Sequence, residues 1–293
     1  MGDKLRKLIR LVVILVGVGI LVYPSISEYL SEKNSSRAVA SYDDSVKELE
    51  EARINALLDE ARNYNKALAS SSSGWNPKTD EHSEILSLEN YKKILNIKSN
   101  GMIGYISIPK LNETIRIFHG TEEAVLQVGI GHLENTSFPV GGETTHAVLS
   151  GHRGLPTASL FTDLDRLQTG DIFYIKILNK TFCYSVDKIS VVLPNEIEEL
   201  SIQKGRDYVT LVTCTPYSVN SHRLLVRGTR VPYSEDEPIP VYEPTIQRSL
   251  WALLSPQYRH MLIGAAAVLV FLLLRWIIII IKRKLAKRRL PEK

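Results

Sequence analysis

Between Gly101 and Pro232 the chain is a succession of short β-branched and aromatic runs, each cut off by a turn signal. Residues 104–108, 114–118, 146–149, 171–178, 181–186, 189–193, 208–214 and 224–231 read as strands, since Val, Ile, Thr, Tyr and Phe suit a pleated, half-buried surface. Pro109, Gly141-Gly142, Thr169-Gly170 and Leu178-Asn-Lys180 separate several of them. Strands of this length and spacing indicate a closed barrel or a sandwich rather than a parallel α/β sheet. The expected fold class is therefore mainly β.

The last two strands carry the most chemistry. Pro216 cannot donate to a ladder, so the first of them must stop just after Cys214. A short loop with Ser218, Asn220 and Ser221 leads into the second. If the two pair as a hairpin, Cys214 and Arg223 stand at the same rim. A guanidinium there favours the nucleophilic thiolate. It can equally donate two hydrogen bonds to the oxygen that turns negative when a carbonyl is attacked. Either role suits acyl transfer through a thioester; the plainer reading is a small buried Cys beside a surface Arg. Upstream, His146-Ala-Val-Leu-Ser-Gly-His152-Arg-Gly reads as an apolar strand running into a Gly-bracketed loop that carries His152. A His on a loop held by a rigid strand is the usual proton donor to a departing amine.

Thr210-Leu-Val-Thr-Cys214, Arg223 downstream and Ser150-Gly-His152-Arg-Gly upstream resemble the sortases, membrane-bound cysteine transpeptidases of Gram-positive bacteria. The resemblance covers roughly residues 101–232 and rests on three motifs in the family's order. It implies a closed sortase-type β-barrel with short helices, with His152, Cys214 and Arg223 as the catalytic residues. It also implies cleavage of an LPXTG-like sorting signal between Thr and Gly, with no cofactor and no metal. Pilus-building, class C sortases carry a lid ahead of the barrel with an Asp-Pro-aromatic motif. Here Trp75-Asn76-Pro77-Lys78, followed by Asp80, occupies that place. The Pro is kept with an aromatic beside it, while the order differs. Trp75, Pro77 and Asp80 are the lid candidates, and His222, next to Arg223, is a candidate lining residue of the groove. Of the other histidines, His119, His132 and His146 have no metal-ligand spacing and read as structural. Cys183 reads as a structural strand residue, and Asp163 and Asp165 as part of a solvated turn.

The flanks set the address. Lys4, Arg6, Lys7 and Arg10 precede the apolar run 11–22, which ends at Tyr23-Pro24; this suits an uncleaved signal anchor at 11–24 with residues 1–10 in the cytoplasm. Residues 35–69 form an N-terminal helical region. Tyr42, Val46, Leu49, Leu57, Tyr64 and Leu68 make one stripe of an amphipathic helix over 38–68, capped by Ser35, Ser36 or Ser41. Residues 70–98 are the lid and linker, 99–233 the catalytic barrel and 234–260 a Pro-rich linker. A second span at 261–281 and a basic tail at 282–293 complete the expectation. Arg275 lies near the end of that span, where it can snorkel. Both ends are then cytoplasmic and the catalytic domain extracellular. The net charge of +4 comes from excess Lys and Arg at the two ends, which argues against nucleic-acid binding. The second span and the lid position resemble class C sortases, and that resemblance implies pilin subunits with LPXTG-like signals as partners. A housekeeping sortase with a cell-wall acceptor, or a non-catalytic membrane-tethered binding domain, are the alternatives.

Overall fold

A computed structural model of the chain describes residues 3–71, 84–155, 157–233 and Arg275. Eight strands make its centre: β1 (Met102–Ile108), β2 (Glu113–His119), β3 (Ile130–His132), β4 (Thr145–Ser150), β5 (Ile172–Ile177), β6 (Lys180–Val192), β7 (Asp207–Thr215) and β8 (His222–Val231). They close into a barrel in the order β1-β2-β3-β4-β7-β8-β6-β5. The β2–β3 and β4–β7 pairs are parallel and the other six antiparallel. Closure leaves no sheet edge exposed.

Burial along the strands explains their composition. In β5, Phe173, Ile175 and Ile177 are buried and alternate with half-buried residues, the period-2 pattern of a strand with one inward face. All seven residues of β1 are buried, because a helix covers its outer face. That helix, α1 (Asp3–Lys47), sends Tyr42 into the barrel wall, where its hydroxyl donates to the Ile103 carbonyl at 2.9 Å and accepts from the Leu178 amide at 2.9 Å.

Three expectations need correction. The runs 181–186 and 189–193 are one strand, β6, and the polar break at Asp187-Lys188 is a bulge rather than a turn. Asp187 takes two hydrogen bonds from Arg227, at 3.0 and 2.9 Å, and Arg227 lies 4.2 Å from the Tyr208 ring centroid. The stripe over 38–68 is divided between α1 and α2 (Glu51–Ser70), with residues 48–50 outside both helices. A single helix over 38–68 would be about 46 Å long; the break re-aims the second stripe. Val39, Tyr42 and Val46 of α1 are buried with Ile54, Leu57, Leu58, Ala61 and Tyr64 of α2. Ser36 and Ser45 donate to the carbonyls of Glu32 and Ser41 inside α1, so no serine caps a helix start there. Third, the helix does not stop at Pro24 but runs through it to Lys47. The remaining strand, β3, is three residues long, too short to show any periodicity.

The chain divides into two compact units, residues 27–244 and residues 1–26 with 245–293. In the first, α2 is pinned by Asn65, which donates to the Phe138 carbonyl at 2.9 Å and accepts from its amide at 2.7 Å. Beside it α3 (Leu88–Lys93), capped by Ser87, supplies Tyr91 to a cluster with Tyr64, His119, His132 and Phe138. In the second, the start of α1 is long and apolar enough to cross a membrane. The expected span at 261–281 lies outside the described residues, apart from Arg275, which is helical and exposed.

Candidate active site

The parallel pairing of β4 with β7 decides which residues meet. Its register is constant, ending with Leu149 beside Leu211 and Ser150 beside Val212. The ladder continues past the end of β4: the Gly151 amide donates to the Val212 carbonyl at 3.0 Å, and Thr213 Oγ1 donates to the Gly151 carbonyl at 2.8 Å. His152 follows Gly151 directly, as Cys214 follows Thr213, so the two segments that carry them leave this ladder side by side. On the far side of β7, Cys214 is the register partner of Arg223 on β8. Three adjacent strands thus bring His152, Cys214 and Arg223 to one end of the barrel. Cys214 is half-buried there, whereas Cys183 is buried within β6.

Local sequence explains the tightness of this end. A Cβ on Gly151 would lie 2.7 Å from the Phe161 ring and 2.8 Å from Ile130, so only glycine lets the strand end pack there. Gly154 has φ +75°, and a Cβ on it would meet the Tyr217 ring at 2.7 Å. Between them Arg153 is nearly buried. It donates from Nη1 to Thr215 Oγ1 at 3.1 Å, pairs through Nη2 with Asp165 and lies 5.9 Å from the Tyr217 ring. The loop carrying His152 is therefore seated directly on the residues that follow Cys214.

His152 meets one carboxylate. Its Nε2 lies 3.4 Å from Glu123, on the short helix α4 (Glu123–Leu126). The Glu123 carboxyl is held below the ordinary Glu range, first by the Gln127 side-chain amide and then by His152. Arg223 donates from Nη1 to the carbonyls of Asn220 at 3.2 Å and His222 at 3.0 Å, which fixes its head at the rim. His222 is half-buried, opposite Thr215, with Nδ1 2.9 Å from Ser221 Oγ. Around this end, Val191, Leu193 and Ile197 before β7 and Tyr217 and Val219 after it expose apolar surface. The lid candidates Trp75, Pro77 and Asp80 lie outside the described residues.

The remaining histidines among the described residues are core groups. His119 is bonded to the carbonyls of Ile94 and Gly101, His146 to the Ser201 carbonyl and Thr210, and His132 to Ser137 and Tyr91. Burial pushes all three below the ordinary His range, and His132 down to about 4. Among the described residues no group of three or more His, Cys, Asp or Glu is arranged to hold a metal.

Two residues of this site escaped the sequence reading. Arg153 stood in a motif already quoted, but its contacts with Thr215 and Asp165 have no local signature. Glu123 is separated from His152 by 29 positions and lies on one turn of helix.

A family model described as the sortase domain matches residues 106–231. Sortase C1 of Streptococcus agalactiae is 48% identical, over 68% of this chain and 100% of that chain, with a TM-score of 0.62. Sortase C of Streptococcus pneumoniae, whose structure was described in terms of catalysis and pilin substrate specificity, is 42% identical over 69% of this chain and 100% of that chain, with a TM-score of 0.58. Sortase D of Bacillus subtilis is 29% identical over 131 residues, which make up 44% of this chain and 63% of that protein. The chain thus spans less than two thirds of that curated relative.

Proposed function

The chain belongs to the sortase family, whose members are cysteine transpeptidases, and we propose that it is a membrane-anchored sortase of the pilus-assembly class. The observation that carries this is the register across β4, β7 and β8, which puts the segment leading into His152 beside the end of β7, where Cys214 pairs with Arg223. The Cys214 thiolate attacks the carbonyl carbon of Thr in an LPXTG-like signal. The oxygen turns negative next to a fixed guanidinium, and Arg223 either donates to it or holds the substrate carbonyl. The C–N bond to Gly then breaks, His152 gives its proton to the departing amine, and the Thr acyl group stays on sulfur as a thioester. A pilin Lys amine attacks the thioester, His152 takes its proton, and the Cys214 thiolate leaves an isopeptide bond.

The exposed apolar residues flanking β7 suit the apolar end of such a signal. The class assignment leans on the two sortase C structures and on the sequence of residues 75–80 and 261–281. In this reading Trp75, Pro77 and Asp80 lie in the groove at rest, His222 lines it, and both membrane segments leave residues 25–260 outside the cell. Competition between two acceptors tests it. The enzyme, a sorting-signal peptide and equal amounts of a pilin Lys peptide and a cell-wall precursor amine are combined, and products are weighed by mass spectrometry. Isopeptide to Lys should dominate. Exclusive use of the cell-wall amine would make the chain a housekeeping anchoring sortase instead.

A further inference from the structure

The buried guanidinium beside His152 has no part in the chemistry just described. Arg153 reaches from the His152 loop to Thr215, one residue after Cys214, and at once to Asp165 in the 3₁₀ turn Leu164–Arg166. Its side chain is 8% exposed, and Nε has no hydrogen-bond partner among the described residues. Burying a cation with one donor unmet is costly, and an apolar side chain would fill the space at less expense. What the planar fork adds is direction: two donors aimed at fixed acceptors on two different segments. The loop is closed on its other side as well. The Phe161 amide donates to the His152 carbonyl at 3.2 Å and the Gly154 amide to Thr162 Oγ1 at 3.0 Å. Gly154 rests on the Tyr217 ring. The only cross-link in this set made by a side chain of the His152 loop to the β7 end is the one from Arg153 to Thr215.

We propose that Arg153, braced by Asp165, is a positioning residue that sets the His152 loop against the end of β7 and so fixes the spacing of His152 and Cys214. The proposal rests on the transpeptidase reading for its turnover test, and the thiol test below stands apart from it. A misplacement of about 1 Å in such a pair costs on the order of 10²-fold in rate.

The decisive variants are Arg153→Lys, which keeps the charge and loses the fork, and Asp165→Asn. Asp165 is 48% exposed, so its variant folds even if the buried site tolerates no change. With a sorting-signal peptide both should lower kcat by about ten- to a hundredfold with KM within about threefold. Asp165→Glu should recover part of the loss. The second measurement is the pH profile of Cys214 alkylation by iodoacetamide in the full-length enzyme. Charged or titratable groups at this end are Glu123 on α4, His152 and Arg153 after β4, Asp165 in the 3₁₀ turn, and Tyr217, His222 and Arg223 at the β7–β8 connection. Removing the Asp165 charge acts directly to favour the thiolate, moving the profile to lower pH. Loss of positioning moves it toward the profile of His152→Ala. A shift of both variants toward His152→Ala is expected. A normal kcat in folded Asp165→Asn, or a profile that stays on wild type or moves to lower pH, would overturn the proposal. No cleavage by wild type with any sorting peptide would count against the transpeptidase reading alone, since the alkylation profiles still decide the role of Arg153.

Discussion

Lowering the pH should destabilise the barrel through His132, and the size of the effect follows from its surroundings. The ring is fully buried, with Nε2 2.8 Å from the Ser137 carbonyl and Nδ1 3.0 Å from the Tyr91 hydroxyl. The arrangement suits a neutral ring that donates from Nε2 and accepts at Nδ1. The Tyr91 hydroxyl is also 2.9 Å from the His132 carbonyl and accepts from the Gly120 amide at 2.9 Å. Desolvation dominates and takes the group from 6.5 to about 4, with His119 adding like charge. The folded state therefore binds the proton less readily than the unfolded chain. The stability that His132 contributes is complete well above pH 6.5 and is lost as pH falls from there toward 4. At 1.36 kcal/mol per unit, the loss between pH 7 and pH 5 is about 2 kcal/mol for this residue. His119 and His146 are shifted the same way and steepen the slope. Urea melts of residues 27–244 at pH 7 and pH 5 measure the total. The same pair on His132→Gln isolates the residue, because Gln keeps a donor for Ser137 and does not titrate. The variant should start lower and lose about 2 kcal/mol less on acidification. Equal losses in the two proteins would refute the assignment of proton uptake to His132.

Asn65→Ala takes the acceptor from the Phe138 amide and leaves the Phe138 carbonyl to the Val140 amide alone, at 2.8 Å, and should cost about 1–3 kcal/mol in the same melts at pH 7. Gly154→Ala drives a Cβ into the Tyr217 ring at φ +75°; peptide turnover should fall about tenfold or more while the melt moves little, because the strain sits in a rim loop. Arg223→Lys keeps the charge but not the two-donor fork, so cleavage in a continuous peptide assay should drop by about 10²-fold.

Much of the barrel was legible because its strands are short, β-branched and closed by Pro, Gly and Asn. Pro216 and the polar loop after it marked the turn between β7 and β8, and the structure pairs Cys214 with Arg223 across it. What stayed hidden has a common physical cause, namely dependence on distant partners. The bulge at Asp187 looks like a strand break until Arg227, 40 residues away, is seen to hold it. The three residues of β3 become a strand only by lying between β2 and β4. The division of the 38–68 stripe is set by the barrel surface that both helices cover, which no periodicity within the stripe can reveal. At the site, the segments that carry His152 and Cys214 run side by side through a parallel register 62 positions apart, invisible in either one and recognisable only through family resemblance. Arg153 and Glu123 carried no chemical signature of their own, since one is a charged residue in a loop and the other a surface carboxylate.

The central claim is covalent catalysis at Cys214, and intact-mass spectrometry of the enzyme quenched in acid during turnover of a sorting-signal peptide tests it most directly. The predicted result is a mass gain equal to the peptide fragment ending in Thr. It should map to the segment containing Cys214, persist in Cys183→Ala and be absent from Cys214→Ala. An acyl adduct on Cys183, or peptide turnover by Cys214→Ala, would contradict the account.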